Sequence, residues 1–194
     1  LINDKKRQDK YLAYLDGIRD EIKRKCKEQS EILSENLVSP DACADRIAEQ
    51  KQNLWERVPG QDDFLRLRLG LGNLPLDADV KYPEKKFTMD DDNLQDAMLS
   101  LGSEPKQLIG VPISVSLVEN TTVGVCGEYL TSTNMMKSLI LQMIALHSYD
   151  ELKIMLITDE SERDEWDFIR PIPHFWNDDK TTRFFASNAD EIKE

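Results

Sequence analysis

One segment limits the possible folds of this chain more than any other. Residues 123–157 read VGVCGEYLTSTNMMKSLILQMIALHSYDELKIMLI, in which an apolar stretch, a glycine, a long helical stretch and a second apolar stretch follow one another. This order predicts a strand, a turn, a helix over about residues 133–147 and a parallel strand. KIMLI is apolar on both faces, which is typical of a central parallel strand. The segment therefore predicts an α/β fold.

The turn at Gly127 lies where a phosphate-binding loop would lie. Such a loop needs glycines that let the backbone surround the phosphates, a lysine for the terminal phosphate and a Ser or Thr hydroxyl for magnesium. With Gly127 as the first glycine, Ser132 occupies the second glycine position and Thr133 the lysine position. Asn134 then occupies the hydroxyl position. Because three of the four positions lack the required residue, we expect no ATP hydrolysis at this loop.

No other set of residues replaces the missing loop chemistry. Lys137 and Ser138 lie one helical turn further on, where the lysine points along the side of the helix. His147 and His174 have neither a zinc-ligand spacing nor a cysteine nearby in sequence. We expect His147 to be a cation at the end of the helix, stabilised by the helix dipole, and His174 to be packed. The sequence thus predicts no catalytic residue, no metal site and no cofactor.

The first 57 residues are predicted to be helical. Residues of one face recur at spacings of three, four and seven in a region otherwise full of charged residues, as in an amphipathic helix with a narrow apolar seam: these are Tyr11, Leu15, Ile18, Ile22, Gln29 and Leu33. Ser39 is a suitable N-cap for a second helix, with Pro40 at its first position. We expect an antiparallel pair of helices over residues 5–37 and 40–57.

Strands and a short helix are predicted after the turn VPGQDD. FLRLRLGLG alternates leucines with Phe64, Arg66 and Arg68, which predicts a strand, and VPISVSLVENTTVGVCG predicts two strands joined by the polar turn ENTT. Between them, DDDNLQDAMLSLG predicts a helix with residues 90–92 at its N-terminal end. Towards the C-terminus we expect a strand over residues 183–186 and a capping box of Asn188 with Glu191.

Composition restricts the class of partner. A net charge of −12 over 194 residues argues against binding to nucleic acid, because Lys and Arg supply that affinity. The three cysteines are an odd number at wide spacings, which indicates reduced thiols in a cytosolic setting. The 40% hydrophobic residues are enough for a core, and no apolar run reaches the length of a membrane span.

The run LWERVPGQDDFLRLRLGLGNLPL over residues 54–76 resembles a signature of one family. It is similar to the segment that follows the transmembrane helices in the type VII secretion membrane ATPases, the EssC/EccC type within the FtsK/SpoIIIE group. Further matches follow in the expected order, and with them the resemblance covers nearly the whole chain: DKKRQDKYLAYLDGIRDEI, LIGVPISVSLVENTTVGVCG, LHSYDELKIMLI and WDFIRPIPHFWNDD.

The resemblance implies a P-loop NTPase-like fold and a domain organisation. Residues 1–57 correspond to an antiparallel helical stalk next to the membrane. Residues 58–194 correspond to the N-terminal portion of the first ATPase-like domain, which is often degenerate in the family. In FtsK-type domains the strand matching KIMLI precedes an Asp-Pro-Lys element, of which this chain keeps Asp159.

The resemblance also implies a function. The chain would be a non-catalytic coupling and assembly module, a pseudo-ATPase that links a membrane anchor to downstream ATPase domains driving protein export. Implied partners are those domains, other type VII membrane components, further copies in a hexameric ring and small WXG-type secreted proteins. The implied location is the cytoplasmic face of the bacterial membrane. The alternative is a regulatory domain that binds ATP without efficient hydrolysis; a DNA translocase is disfavoured by the net charge.

Overall fold

The computed structural model describes residues 2–80 and 94–193 as a mixture of helices and small sheets. This content agrees with the predicted α/β class. The chain forms two compact units: unit 1 contains Leu1–Leu37 and Gly70–Ile113, and unit 2 contains Val38–Leu69 and Ser114–Glu194. The boundary predicted between residues 57 and 58 falls inside unit 2, and the division into stalk and ATPase-like domain stays a prediction.

Unit 1 is built on the long helix α1, Ile2–Asn36, which packs against α3, Leu94–Ser103. The Arg19 guanidinium donates to both carboxylate oxygens of Glu104, at 2.9 and 3.3 Å, and so joins α1 to the residue that follows α3. Apolar residues of α1 also contact a small core, so the predicted amphipathic helix is confirmed: the core residues are Leu76, Leu108 and Val111, and those from α1 are Ile22, Cys26 and Leu33. The aspartates at positions 90–92 lie outside the described residues.

Strands β1, Arg66–Pro75, and β2, Gln107–Ser116, pair with each other, which confirms both sequence predictions. The pairing is antiparallel, because the amide of Leu117 donates to the carbonyl of Leu65 beyond one end of the pair. Beyond the other end, the amide of Leu76 donates to the carbonyl of Lys106.

The second helix, α2, is shorter than predicted. It runs over Pro40–Ala48 and begins as expected, because the Ser39 hydroxyl accepts a hydrogen bond from the amide of Ala42 at 3.2 Å. It cannot reach residue 57, since Gln50 and Trp55 have φ angles of 50° and 60°, which an α-helix does not contain. Within unit 2 it packs against α4, Tyr129–Leu146, and the antiparallel pairing of α2 with α1 stays a prediction.

The main core of unit 2 lies between α4 and a small parallel sheet. Strand β3, Leu156–Ile157, pairs in parallel with β4, Phe185–Ala186, which confirms a parallel strand within KIMLI and the late strand. Two 3₁₀ segments, Glu160–Ile169 and Pro173–Phe175, connect them. The buried side chains of this core come from α4, both 3₁₀ segments and β4: they are Ile140, Trp166, Ile169, Phe175 and Phe185.

Two predicted strands differ from the structure. KIMLI was expected to be buried on both faces, but Met155 and Ile157 are 67% and 58% exposed, while Leu156 packs on the α4 side. VGVCG was expected to be a strand, but residues 122–126 have no regular structure and are exposed. A strand needs a neighbour for its backbone hydrogen bonds, and within the described residues none pairs with this segment.

The C-terminal capping box forms only in part. The Asn188 side chain accepts a hydrogen bond from the amide of Glu191 at 3.0 Å, as predicted. The Glu191 carboxylate, however, accepts from the amide of Ser187 at 2.8 Å rather than from that of Asn188. Residues 189–192 form a turn and not a longer helix.

Candidate functional site

The N-terminal end of α4 carries the degenerate loop positions. Gly127 precedes the helix, and Ser132, Thr133 and Asn134 lie within its first two turns. A Cβ atom at Gly127 would lie 3.2 Å from the Ser132 hydroxyl oxygen, so the turn packs closely against the helix. Thr133 is buried and Asn134 is exposed. The position that would hold the phosphate lysine therefore faces the protein interior, away from a ligand in solution.

The charges at this end of α4 do not favour phosphate. Glu128 is the N-cap residue and makes no side-chain capping hydrogen bond. Its carboxylate benefits from the positive end of the helix dipole, and would repel a phosphate approaching the same amides. Lys137, on the next turns of the helix, forms an ion pair with Glu165 and lies 5.8 Å from the ring centroid of Trp166. It is held on the side of the helix, in agreement with the sequence interpretation.

Asp159, which the sequence comparison aligned with an Asp-Pro-Lys element, has a structural role. Its carboxylate oxygen accepts hydrogen bonds from the amide of Ser161 at 2.9 Å and from its hydroxyl at 2.6 Å. These bonds lower the pKa of Asp159 and cap the 3₁₀ segment that begins at Glu160. Across residues 2–80 and 94–193, no three His, Cys, Asp or Glu side chains are grouped so as to hold a metal ion.

The C-terminal end of α4 is held by residues 55–57, which belong to the run over residues 54–76. The last carbonyls of a helix lack partners within the helix, and here residues 55–57 supply them. The Trp55 amide donates to Ala145 O at 3.0 Å, the Trp55 indole donates to Ile144 O at 2.9 Å and the Arg57 amide donates to Leu146 O at 3.0 Å. The positive φ angle of Trp55 lets one residue direct both donors at the same helix end.

Arg57 orders the loop that leads into β1. Its guanidinium is only 2% exposed, donates to the carbonyls of Asp63 and Arg66 at 3.2 and 2.6 Å, and pairs with the Asp63 carboxylate at 3.3 Å. Burial lowers the pKa of Arg57, while the carboxylate of Asp63 opposes this shift. A buried guanidinium needs such partners, since an unpaired one would be strongly destabilising.

His147 ties the same loop to the end of α4. The amide of Leu65 donates to its Nε2 at 3.0 Å, so this nitrogen is the acceptor, and the proton lies on Nδ1, 3.1 Å from Met143 O. Burial is the main cause that lowers the pKa of His147, to about 4. The expectation of a cation at this helix end is therefore wrong, because the ring is desolvated and accepts a hydrogen bond.

Gln142 completes the contacts to the beginning of β1. Its side-chain oxygen accepts from the amide of Arg68 at 2.7 Å, and its side-chain nitrogen donates to the carbonyl of Arg68 at 2.9 Å. We call residues 55–68, together with the side chains of Gln142 and His147, the α4 clamp. It fixes the loop and the first residues of β1 to one end of the helix.

Sequence reasoning identified part of the α4 clamp but not its role. The run over residues 54–76 was recognised only as a family signature. Gln142 was not singled out, although a lone amide within the apolar stretch SLILQMIAL is a detectable signal. The positive φ angles of Trp55 and Leu65 carry no such signal, since glycine or asparagine is the usual residue for that conformation.

Comparison with known proteins identifies relatives along most of the chain. It is 26% identical over 173 residues to the ESX secretion system protein YukB of Bacillus subtilis, covering 89% of this chain and 12% of YukB. It is 28% identical over 172 residues to the ESX-3 secretion system protein EccC3 of Mycobacterium tuberculosis, covering 88% and 13%. With the type VII secretion system protein EssC of Staphylococcus aureus, the identity is 26% over 183 residues, covering 94% and 12%.

These matches confirm the resemblance to the EssC/EccC type of type VII secretion proteins. The chain spans about an eighth of the length of these relatives. No known family profile matches it.

Proposed function

We propose that this chain is a non-catalytic coupling and assembly module of a type VII secretion protein. It would link the membrane anchor of that protein to downstream ATPase domains that drive protein export. The α4 clamp is the observation that carries the proposal, because its hydrogen bonds hold helix α4 by the end opposite to the turn at Gly127. A pseudo-ATPase of this kind would transmit movement without hydrolysing nucleotide itself.

The proposal extends to fold, location and partners. Residues 1–57 would act as the stalk, and residues 58–194 as part of a degenerate FtsK/SpoIIIE-like domain at the cytoplasmic face of the membrane. In the full-length protein we expect contacts with the downstream ATPase domains, other type VII membrane components and further copies in a hexameric ring. Small WXG-type secreted proteins are a further proposed partner. In the described part of the chain, no helix has the length and apolar character of a membrane span.

The experiment that tests coupling changes the long helix of unit 1. Leu15 is 6% exposed and Leu12, three residues earlier, is 43% exposed. In a secretion-competent full-length protein, we expect Leu15→Asp to reduce export strongly, because a charge at a buried apolar position disrupts the packing of α1. Leu12→Asp is the matched control and should leave export unchanged. Normal export by a Leu15→Asp protein that is present at normal level would contradict the coupling function.

A regulatory nucleotide-binding function is the second candidate. One observation favours it: residues 121–130 are all exposed, so the first amides of α4 are accessible to a ligand. A ligand at 100 times its dissociation constant would stabilise the folded chain by about 2.7 kcal/mol. We expect magnesium-ATP at millimolar concentration to leave the unfolding temperature unchanged, and Thr133→Lys to produce no hydrolysis. A magnesium-dependent shift would favour the regulatory function instead.

A further inference from the structure

Gln142 makes the backbone contacts that a neighbouring strand would make. In a sheet, a residue of one strand exchanges both an amide and a carbonyl hydrogen bond with its neighbour. Arg68 makes both of these bonds with the side chain of Gln142, at 2.7 and 2.9 Å. Gln142 is 1% exposed, so the two bonds are shielded from water. One side chain of α4 thus takes the place of a strand at one residue of β1.

These two bonds restrict the register of β1. Backbone groups of successive strand residues point to opposite edges, so moving β1 by one residue would direct the groups of Leu67 or Leu69 away from Gln142. Moving it by two residues would bring Arg66 to this place, but the carbonyl of Arg66 already accepts a hydrogen bond from Arg57 at 2.6 Å. Gln142 is itself restrained, since its side-chain nitrogen also lies 3.3 Å from Ser138 O.

We infer that Gln142 is the positioning residue that makes the first residues of β1, up to Leu69, move with α4 as one body, and that export depends on this link. The inference rests on the proposed coupling function and names the contact through which the coupling passes. Helix α4 is continuous over 18 residues, about 27 Å, from the exposed turn at Gly127 to the α4 clamp. A displacement of the helix at one end therefore moves Gln142, and with it Arg68.

The test uses two near-isosteric variants of Gln142 in the full-length protein. Gln142→Met removes both hydrogen bonds without adding charge. Gln142→Glu keeps the acceptor for the Arg68 amide but places an oxygen against the Arg68 carbonyl. Gln107→Glu, at an exposed position of β2, is the matched control for the change of charge. The readouts are hydrogen exchange at the Arg68 amide and export of substrate proteins.

We expect both Gln142 variants to speed exchange at Arg68 at least tenfold and to lower export at least tenfold. The amide of Leu156, which donates to Phe184 O within the core of unit 2, should change less than twofold. This separates a positioning role from general destabilisation, which would speed exchange at both amides. Gln107→Glu should alter neither readout.

Three results would overturn the inference: unchanged exchange at Arg68, equal acceleration at Arg68 and Leu156, or fast exchange at Arg68 with normal export. In the third case Gln142 fixes β1 but export does not need the link. The coupling function itself would then be decided separately by the Leu15→Asp and Leu12→Asp pair, since unit 1 does not contain the α4 clamp.

Discussion

The two ends of helix α4 differ in how they are held. At the N-terminal end, residues 121–130 are exposed and Glu128 makes no capping hydrogen bond. At the C-terminal end, Trp55, Arg57 and Leu65 donate hydrogen bonds to the helix or to His147, and Gln142 binds Arg68. In a P-loop protein the N-terminal end performs the chemistry. Here the end with the ordered contacts is the opposite one, which suits a mechanical role.

The difference also predicts where stability resides. An exposed turn with few contacts opens at little cost, whereas a buried network of backbone and side-chain hydrogen bonds opens only with its surroundings. Substitutions in the α4 clamp should therefore have large effects on unit 2, and substitutions at the loop small ones. The three tryptophans, Trp55, Trp166 and Trp176, all lie in unit 2, so their fluorescence reports the unfolding of this unit.

The largest effect is expected for Arg57→Ala. The change removes the buried donor to the carbonyls of Asp63 and Arg66 and leaves a cavity, and should lower the free energy of unfolding of unit 2 by about 4 kcal/mol. Urea unfolding followed by tryptophan fluorescence measures this. The control is Arg170→Ala, which removes an exposed ion pair with Asp167 in the same unit and should cost less than about 0.5 kcal/mol. Equal effects of the two changes would contradict the importance of the α4 clamp.

The next effect is the pH dependence caused by His147. Its pKa is about 4 in the folded protein, against an ordinary value of 6.5. As the pH falls, His147 is therefore protonated in the unfolded chain before it is protonated in the folded protein. The contribution of His147 to the free energy of unfolding is fully present above pH 6.5. It is lost as the pH falls to 4, and the total loss is about 3 kcal/mol. Burial also lowers the pKa of His174, so this residue adds to the same trend.

His147→Gln separates the two histidines. Unfolding free energies of this variant and of the unchanged protein should be compared between pH 7 and pH 4.5. The variant should lose a clearly smaller part of its stability over this range, because His174 is the only one of the two histidines that still titrates. If both proteins show the same slope, His147 is not held neutral in the folded state.

The smallest effect is expected at the loop. Gly127→Ala places a Cβ atom 3.2 Å from the Ser132 hydroxyl, which must move slightly, and should cost about 0.5 kcal/mol. Gly124→Ala meets no atom within 4 Å and is the control, with no loss expected. A cost above about 2 kcal/mol at Gly127, measured by the same urea unfolding, would show that the turn is more tightly ordered than its exposure indicates.

Local patterns were sufficient to predict most elements near the site. The alternation in FLRLRLGLG and the helical spacing before KIMLI gave β1 and α4, because each element carries its own periodicity. The contacts of the α4 clamp could not be predicted in this way. His147 was expected to be charged, yet its acceptor role depends on Leu65, 82 residues earlier in the chain. The end of α2 likewise lies next to Gln50, whose φ angle of 50° is not the conformation that its residue type usually adopts.

Hydrogen exchange across both ends of α4, with and without millimolar magnesium-ATP, tests the central claim most directly. The amides of Trp55, Arg57, Leu65 and Arg68 are expected to exchange only when unit 2 unfolds, and those of residues 129–131 at nearly unprotected rates. Magnesium-ATP should change neither group. Two results would contradict this account: protection of residues 129–131 by magnesium-ATP, or exchange in the α4 clamp as fast as in the loop. The account states that α4 is held at its C-terminal end and has no nucleotide chemistry at its N-terminal end.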